Sequence, residues 1–253
     1  MGIMSIGWLF LVAPSVFWLA IALRVAARGS SSGRLLLAAF GWGMLAFPLA
    51  LLTQFLVLQG RDLTTLGLPL GSVAVLGLVG PTEEFWKAAT VRWRSVPAVA
   101  FTGPRAALAC GLAAAAGYAF LEHFFRFLNP ETPVWLMTAK SVLGVTMHTM
   151  VSALWAERMA RAPVASRVPG WLLGVALAGV VHGAYNVTSF LPAWLATPFW
   201  STWLLQAAID VALVAGFARR LAALPPDPEP AGTCTAQAAG ATVDGPAEGG
   251  PQN

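Results

Sequence analysis

The sequence predicts an all-α fold, a polytopic transmembrane helical bundle of about seven spans, with its N-terminus outside and its C-terminus cytoplasmic. Three observations predict it. The 253 residues are 57% hydrophobic and 10% charged, with a mean hydropathy of +0.70. Apolar runs of about 20 residues recur along the chain, each long enough to cross a hydrocarbon core of roughly 30 Å. The arginines fall in alternate loops, as the positive-inside rule requires of a multi-pass protein of the cytoplasmic membrane.

The spans expected from the apolar runs are Ile6–Leu23, Leu35–Leu58, Leu66–Thr90, Ala106–Leu128, Val134–Met159, Trp171–Phe190 and Trp194–Phe217. The first has no basic residue before it, and Arg24 and Arg28 after it. That is the wrong order for a cleavable signal peptide, so it reads as a retained span. Short connections carry breakers: Gly29 to Gly33, Asn129-Pro130, Pro192 and Pro198. One set of loops holds Arg24, Arg28 and Arg34, then Arg92, Arg94 and Arg105, then Arg158, Arg161 and Arg167, then Arg219 and Arg220. The other holds Arg61 and Arg126. This asymmetry sets the orientation, and it accounts for the net charge of +4 without a nucleic-acid partner. From Pro225 the chain turns to Pro, Ala, Gly, Thr and Gln, which cannot build a core. Residues 1–224 therefore read as the membrane domain and 225–253 as a disordered cytoplasmic tail. Cys110 and Cys234 give no disulfide pattern.

Ionisable residues stand out against this background. Glu83, Glu84, Glu122, His123, His148 and His182 all lie in apolar segments. A charged group at a helix centre costs roughly 2.5 to 3.5 kcal/mol on insertion scales, so such residues face the bundle interior and pair. In Gly80-Pro-Thr-Glu-Glu-Phe-Trp-Lys87, Pro81 is expected to break or kink the third span. Glu83 and Lys87 are four apart and expected to pair, which leaves Glu84 free on another face. Tyr118 and Glu122 share a face of the fourth span; a carboxylate in such a setting suits a general acid or base. His148 is followed one turn later by Ser152, and His182 by Asn186. Asn186 can fix an imidazole tautomer or donate to a developing oxyanion. Gly179 and Gly183 form a small-residue step beside His182 that lets another helix approach. The span boundaries put Glu122 near the outer side and Glu83 near the inner side, so a shared site requires a shifted boundary or a tilted helix.

Together these motifs resemble the PrsW-type intramembrane proteases, relatives of the CAAX-processing and bacteriocin-processing membrane proteases. Glu83-Glu84-x-x-Lys87 is similar to EExxK, Gly117-Tyr-Ala-x-x-Glu122-His123 to GFAxxEN, His148-x-x-x-Ser152 to HxxxT, and His182-x-x-x-Asn186 to HxxxN. Tyr118, His123 and Ser152 depart from those patterns, and His123 adds a further ligand or base. Ala88 stands where a CAAX-type protease would carry Arg, which favours the PrsW branch.

The resemblance implies an intramembrane metalloprotease acting on membrane-anchored proteins, such as a single-span anti-sigma-factor-like regulator. His148 and His182, with Glu84 or Glu122, would make a His₂Glu set for Zn²⁺, and a remaining Glu would activate water. In a metal-free version Glu84 or Glu83 activates water and the His/Asn pairs bind the oxyanion. Two rivals come from other classes: a non-enzymatic membrane scaffold with a protease-like core, and a proton- or metal-coupled transporter. The lack of an internal repeat counts against the transporter.

Overall fold

The computed structural model describes residues 2–28, 33–94, 103–128, 134–161 and 170–225, and among them every regular element is helical. Apolar segments with no water to solvate their backbone satisfy their N–H and C=O groups within themselves, which the helix allows. α1 spans Gly2–Ala27 and α2 Gly33–Leu58. α2 ends where Gln59 and Gly60 take φ of 53° and 71°. Gly60 N–H then reaches back to the Phe55 carbonyl at 3.2 Å, closing the helix end. A 3₁₀ turn, Leu63–Leu66, follows, capped by the Asp62 carboxylate, which accepts from Thr64 N at 2.8 Å.

The next rod is composite: α3 (Gly67–Ala74), a π turn (Val75–Val79) and α4 (Gly80–Arg94). Pro81 neither breaks nor ends it. The wide turn just upstream absorbs the proline ring, with Gly80 N–H bonding to the Val75 carbonyl five residues back. α5 (Pro104–Phe127), α6 (Val134–Arg161), α7 (Gly170–Leu195) and α8 (Phe199–Ala223) complete the described chain. Pro192, expected in a connection, lies in the last turns of α7. There its missing N–H costs one bond and the helix runs on to Leu195. The connection is instead Ala196 to Pro198, with Ala196 at φ 52°. Residues 29–32, Asn129-Pro130 and the expected tail from 226 onward lie outside the described residues.

Among the described residues, four stretches are long and apolar enough to cross a membrane: Gly33–Trp93, Pro104–Phe127, Gly170–Leu195 and Phe199–Ala223. The first of these contains α2 and the composite rod. Val12–Ala27 is a shorter apolar helix.

α5 is the central element, touched by α1, α2, α4 and α6. Every residue from Ala106 to Ala119 is buried. The segment is mostly Ala and Gly, and small side chains let neighbouring backbones come close where lipid offers no hydrophobic drive between helices. At the α2–α5 crossing a Cβ added to Gly43 would lie 1.8 Å from the Ala114 carbonyl oxygen, and one added to Gly117 would lie 2.0 Å from that of Phe40. At the α4–α7 crossing a Cβ on Gly80 would lie 2.3 Å from the Gly179 oxygen, and one on Gly183 2.8 Å from Leu76 Cα. The Gly179/Gly183 step thus meets the stretch from the π turn to Pro81. It brings His182 beside Glu83 and Glu84.

Gly43→Ala is expected to lower stability by about 1 to 3 kcal/mol through overpacking. Gly41→Ala, on the same helix with nothing within 4 Å of an added Cβ, is expected to be neutral or slightly stabilising. Thermal unfolding of the two purified variants in one detergent checks the contrast.

Candidate active site

α4, α5, α6 and α7 each bring one to three ionisable side chains to a common buried locus. Glu84 is its centre and is fully buried. Its Oε1 accepts from Lys87 Nζ, one turn along α4, and bonds His182 Nδ1 of α7 at 2.8 Å. Its Oε2 accepts from two groups of α6, Ser152 Oγ at 2.8 Å and Trp155 Nε1 at 2.9 Å. Four partners fill the lone-pair sites of an ionised carboxylate. Lys87 therefore pairs with Glu84 at i, i+3, and not with Glu83 as the i, i+4 spacing suggested. The reason is tertiary: the ammonium also meets His148 Nδ1 at 3.1 Å and lies 4.6 Å above the Tyr118 ring, both on Glu84's side of the helix.

His148 continues the chain of contacts. Its Nε2 bonds Glu122 Oε2 of α5 at 2.8 Å, and the other Glu122 oxygen accepts from Arg126. The expected depth conflict between Glu83 and Glu122 disappears because the α3–α4 rod extends to Arg94, beyond the expected Thr90, so Glu83 sits well inside it. His148 on α6 then bridges the remaining distance.

Glu83 occupies a different setting. Its Oε1 receives a long contact, 3.4 Å, from Gln54 Nε2 of α2, and Tyr118 of α5 is a further hydrogen-bonding neighbour of the carboxylate. Its Oε2 lies 3.3 Å from His182 Nε2. Both of those atoms are buried and have no hydrogen-bond partner among the described residues. Glu83, His148 and His182 each offer a ligand atom within 4.8 Å of the others.

These contacts fix a tautomer. An ionised Glu84 can only accept, so His182 donates through Nδ1 and turns its Nε2 lone pair toward Glu83. Two buried lone-pair atoms 3.3 Å apart call for a cation or a proton between them. A carboxylate holding one imidazole nitrogen so that the other faces a metal is a recurrent supporting arrangement. The donor set therefore fits a divalent metal. His148 could join it only by exchanging Lys87 for the metal at Nδ1, or Glu122 at Nε2.

A cavity of about 580 Å³ opens beside the cluster. Glu83, Glu122, His123, His148 and Asn186 all reach its wall. Asn186 bonds neither His182 nor any other described side chain, so its amide is available to whatever fills the space. His123 stands apart from the Glu83/His148/His182 group, against Gly144 of α6.

A protein-family profile described as PrsW family intramembrane metalloprotease matches residues 31–216. The chain belongs to the PrsW family. That span runs from the start of α2 into α8 and includes every side chain of the cluster. Searches of curated proteins and of solved structures each found no match. The PrsW assignment makes this a membrane-embedded protease whose substrates are proteins, and the buried Glu/His/His group is compatible with the metal that the family description implies.

Sequence reasoning missed Trp155 and Gln54 as members of the site. A buried indole needs an acceptor for its N–H, and Trp155 lies one turn beyond Ser152 on α6, so it carried a usable signal. Gln54 carried none, because only the α2–α4 packing brings it to Glu83.

Glu84→Gln is expected to destabilise the fold by about 3 to 5 kcal/mol, since it strips a buried ammonium of its counter-charge. Lys87→Ala is expected to cost as much as Glu84→Ala. Glu83→Gln removes a carboxylate with no lysine or arginine partner and is expected to cost less than about 1 kcal/mol. Denaturant unfolding in mixed micelles reads these differences.

Proposed function

We propose that the chain is an intramembrane metallopeptidase that hydrolyses membrane-anchored proteins at the cavity beside Glu83. Its metal would be held by Glu83, His182 and His148. The observation that carries this is the pair of unpartnered buried atoms, Glu83 Oε2 and His182 Nε2, facing each other at 3.3 Å within a cluster that also contains His148. Three protein ligands of His₂Glu type, with an open position, are what catalytic zinc uses, so Zn²⁺ is the proposed ion. When bound, such an ion polarises a carbonyl and makes water a nucleophile near neutral pH.

The remaining roles follow from the contacts. Glu84, saturated by four partners, orients His182 and does not exchange protons. Lys87 neutralises Glu84 and would yield His148 Nδ1 to the metal. Glu122 lines the cavity and keeps unused acceptor capacity beside its bonds to His148 and Arg126. It takes the proton of the attacking water and returns it to the leaving amine. Asn186 donates to the carbonyl oxygen as it gains charge.

The substrate carbonyls of a helix are already hydrogen-bonded, so the substrate must unwind, and Gly or Pro near the cut favours that. A single-span regulator, such as an anti-sigma factor, suits this demand. The proposed setting is the cytoplasmic membrane, in seven spans, with the N-terminus outside and the C-terminus inside. Residues 1–224 form the membrane domain and 225–253 a cytoplasmic tail.

The test is elemental analysis of the detergent-purified chain, prepared without chelator. About one zinc per chain is expected, lost in Glu83→Ala, His148→Ala and His182→Ala and retained in Asn186→Ala. A metal-free protein, with cleavage of a Gly/Pro-containing membrane substrate intact, would replace the cation by a proton shared between Glu83 and His182. Equal cleavage of a matched Leu-rich substrate would defeat the unwinding requirement.

A further inference from the structure

Four charged side chains reach the wall of the 580 Å³ cavity: Glu83, Glu122, Arg126 and Lys140. Glu122 and Arg126 pair with each other. Glu83 belongs to the proposed metal site. Lys140, on α6, is left over: it is half-buried and makes no ion pair among the described residues, with Glu122 as a charged neighbour. Beside it is His123, 2% exposed, which also lines the cavity and has no partner at either ring nitrogen. The charged neighbours of His123 are Glu122, Arg126 and Lys140. The imidazole is seated against Gly144, where an added Cβ would come within 2.7 Å of Nε2.

A cation in no ion pair and an imidazole with no hydrogen-bond partner among the described residues, on one wall of one cavity, are two independent signs of an anion site. A neutral imidazole can donate through one nitrogen, and an ammonium donates through three hydrogens, so the pair matches an acceptor-rich anion. Glu122 does not oppose such an anion, because Arg126 and His148 both engage it.

We infer that Lys140 and His123 form a subsite for an acidic side chain, Asp or Glu, of the substrate. The inference rests on the peptidase reading for its substrate class. Its position along the substrate follows from helix geometry. Lys140, Gly144 and His148 lie at i, i+4 and i+8 on α6, on one face, with the His123 imidazole seated over Gly144. Eight residues of helix rise about 12 Å. An extended peptide advances about 3.3 Å per residue, so the acidic side chain sits about three or four positions from the scissile bond. With the proposed orientation, that is the extracytoplasmic side of the cut. A peptide carboxylate is favoured over a lipid headgroup because the anion site and the proposed reactive cluster share one cavity.

The test uses the full chain carrying Glu83→Gln, in nanodiscs of zwitterionic lipid, so that bound peptide is not consumed. Two apolar, glycine-containing peptides differ only in having Asp or Asn at the fourth position from the centre. The Asp peptide is expected to bind about tenfold more tightly, the scale of one charge-assisted contact. Adding Lys140→Gln is expected to abolish the difference. Lys140→Glu is expected to favour a matched Lys peptide over the Asp peptide, a gain that a misfolded variant cannot give. Equal affinities for Asp and Asn peptides, or a difference that survives Lys140→Gln, would overturn the subsite. Lys140-dependent binding of phosphatidylglycerol vesicles without Asp/Asn discrimination would also overturn it, in favour of a lipid. Failure of the wild-type chain to cut either peptide, with the binding difference intact, would count against the peptidase reading and leave the subsite standing.

Discussion

A single buried carboxylate organises this molecule. Glu84 has no access to water, and an ionised group in an apolar bundle is tolerable only when neutralised and fully hydrogen-bonded. Its partners come from α4, α6 and α7: Lys87, Ser152, Trp155 and His182. Moving any of these helices by an ångström would strand a charge or an orphaned donor. The network therefore specifies one arrangement of the bundle more than it adds net stability. It also sets the chemistry next to it, because the bond to His182 Nδ1 aims Nε2 at Glu83.

That network could not close without the glycine crossings. Bonds of about 2.8 Å between side chains on different helices need backbones nearer than large residues permit. Gly80 and Gly183 press α4 and α7 together, and Gly43 and Gly117 do the same for α2 and α5. The alanine-rich α5 serves as the post around which the others stand. Its burial on every side explains why it carries so few large side chains. Outer helices such as α8 expose leucines and valines, as a lipid-facing surface requires.

The polar interior is divided in two. Around Glu84 every acceptor is used, and the side chains are fixed. Toward the cavity the side chains are under-satisfied: Glu83 Oε2 and both nitrogens of His123 on its wall, and His182 Nε2 3.3 Å from Glu83. In a membrane such deficits are costly, and they persist where a ligand completes them. The closed half supplies rigidity, and the open half is where the proposed ion and substrate would bind.

The sequence by itself determined the helical class, since runs of apolar residues with few charges leave no other way to satisfy the backbone in lipid. It also singled out the side chains that cluster in the buried interior, because Glu83, Glu84, Glu122, His148 and His182 are anomalies in apolar surroundings. The small-residue step at Gly179 and Gly183 was equally legible. What the sequence did not contain was the pairing among those residues. Helical spacing favours Glu83 for Lys87, but i, i+3 and i, i+4 partners differ by only a few tenths of a kcal/mol. Contacts with His148 and Tyr118 outweigh that margin and turn the lysine to Glu84. Likewise Pro81 predicts a break on local grounds, and the π turn resolves it. Tertiary packing alone decided that Glu83 would face His182, because that contact belongs to α4 and α7 together and to no single segment of the chain.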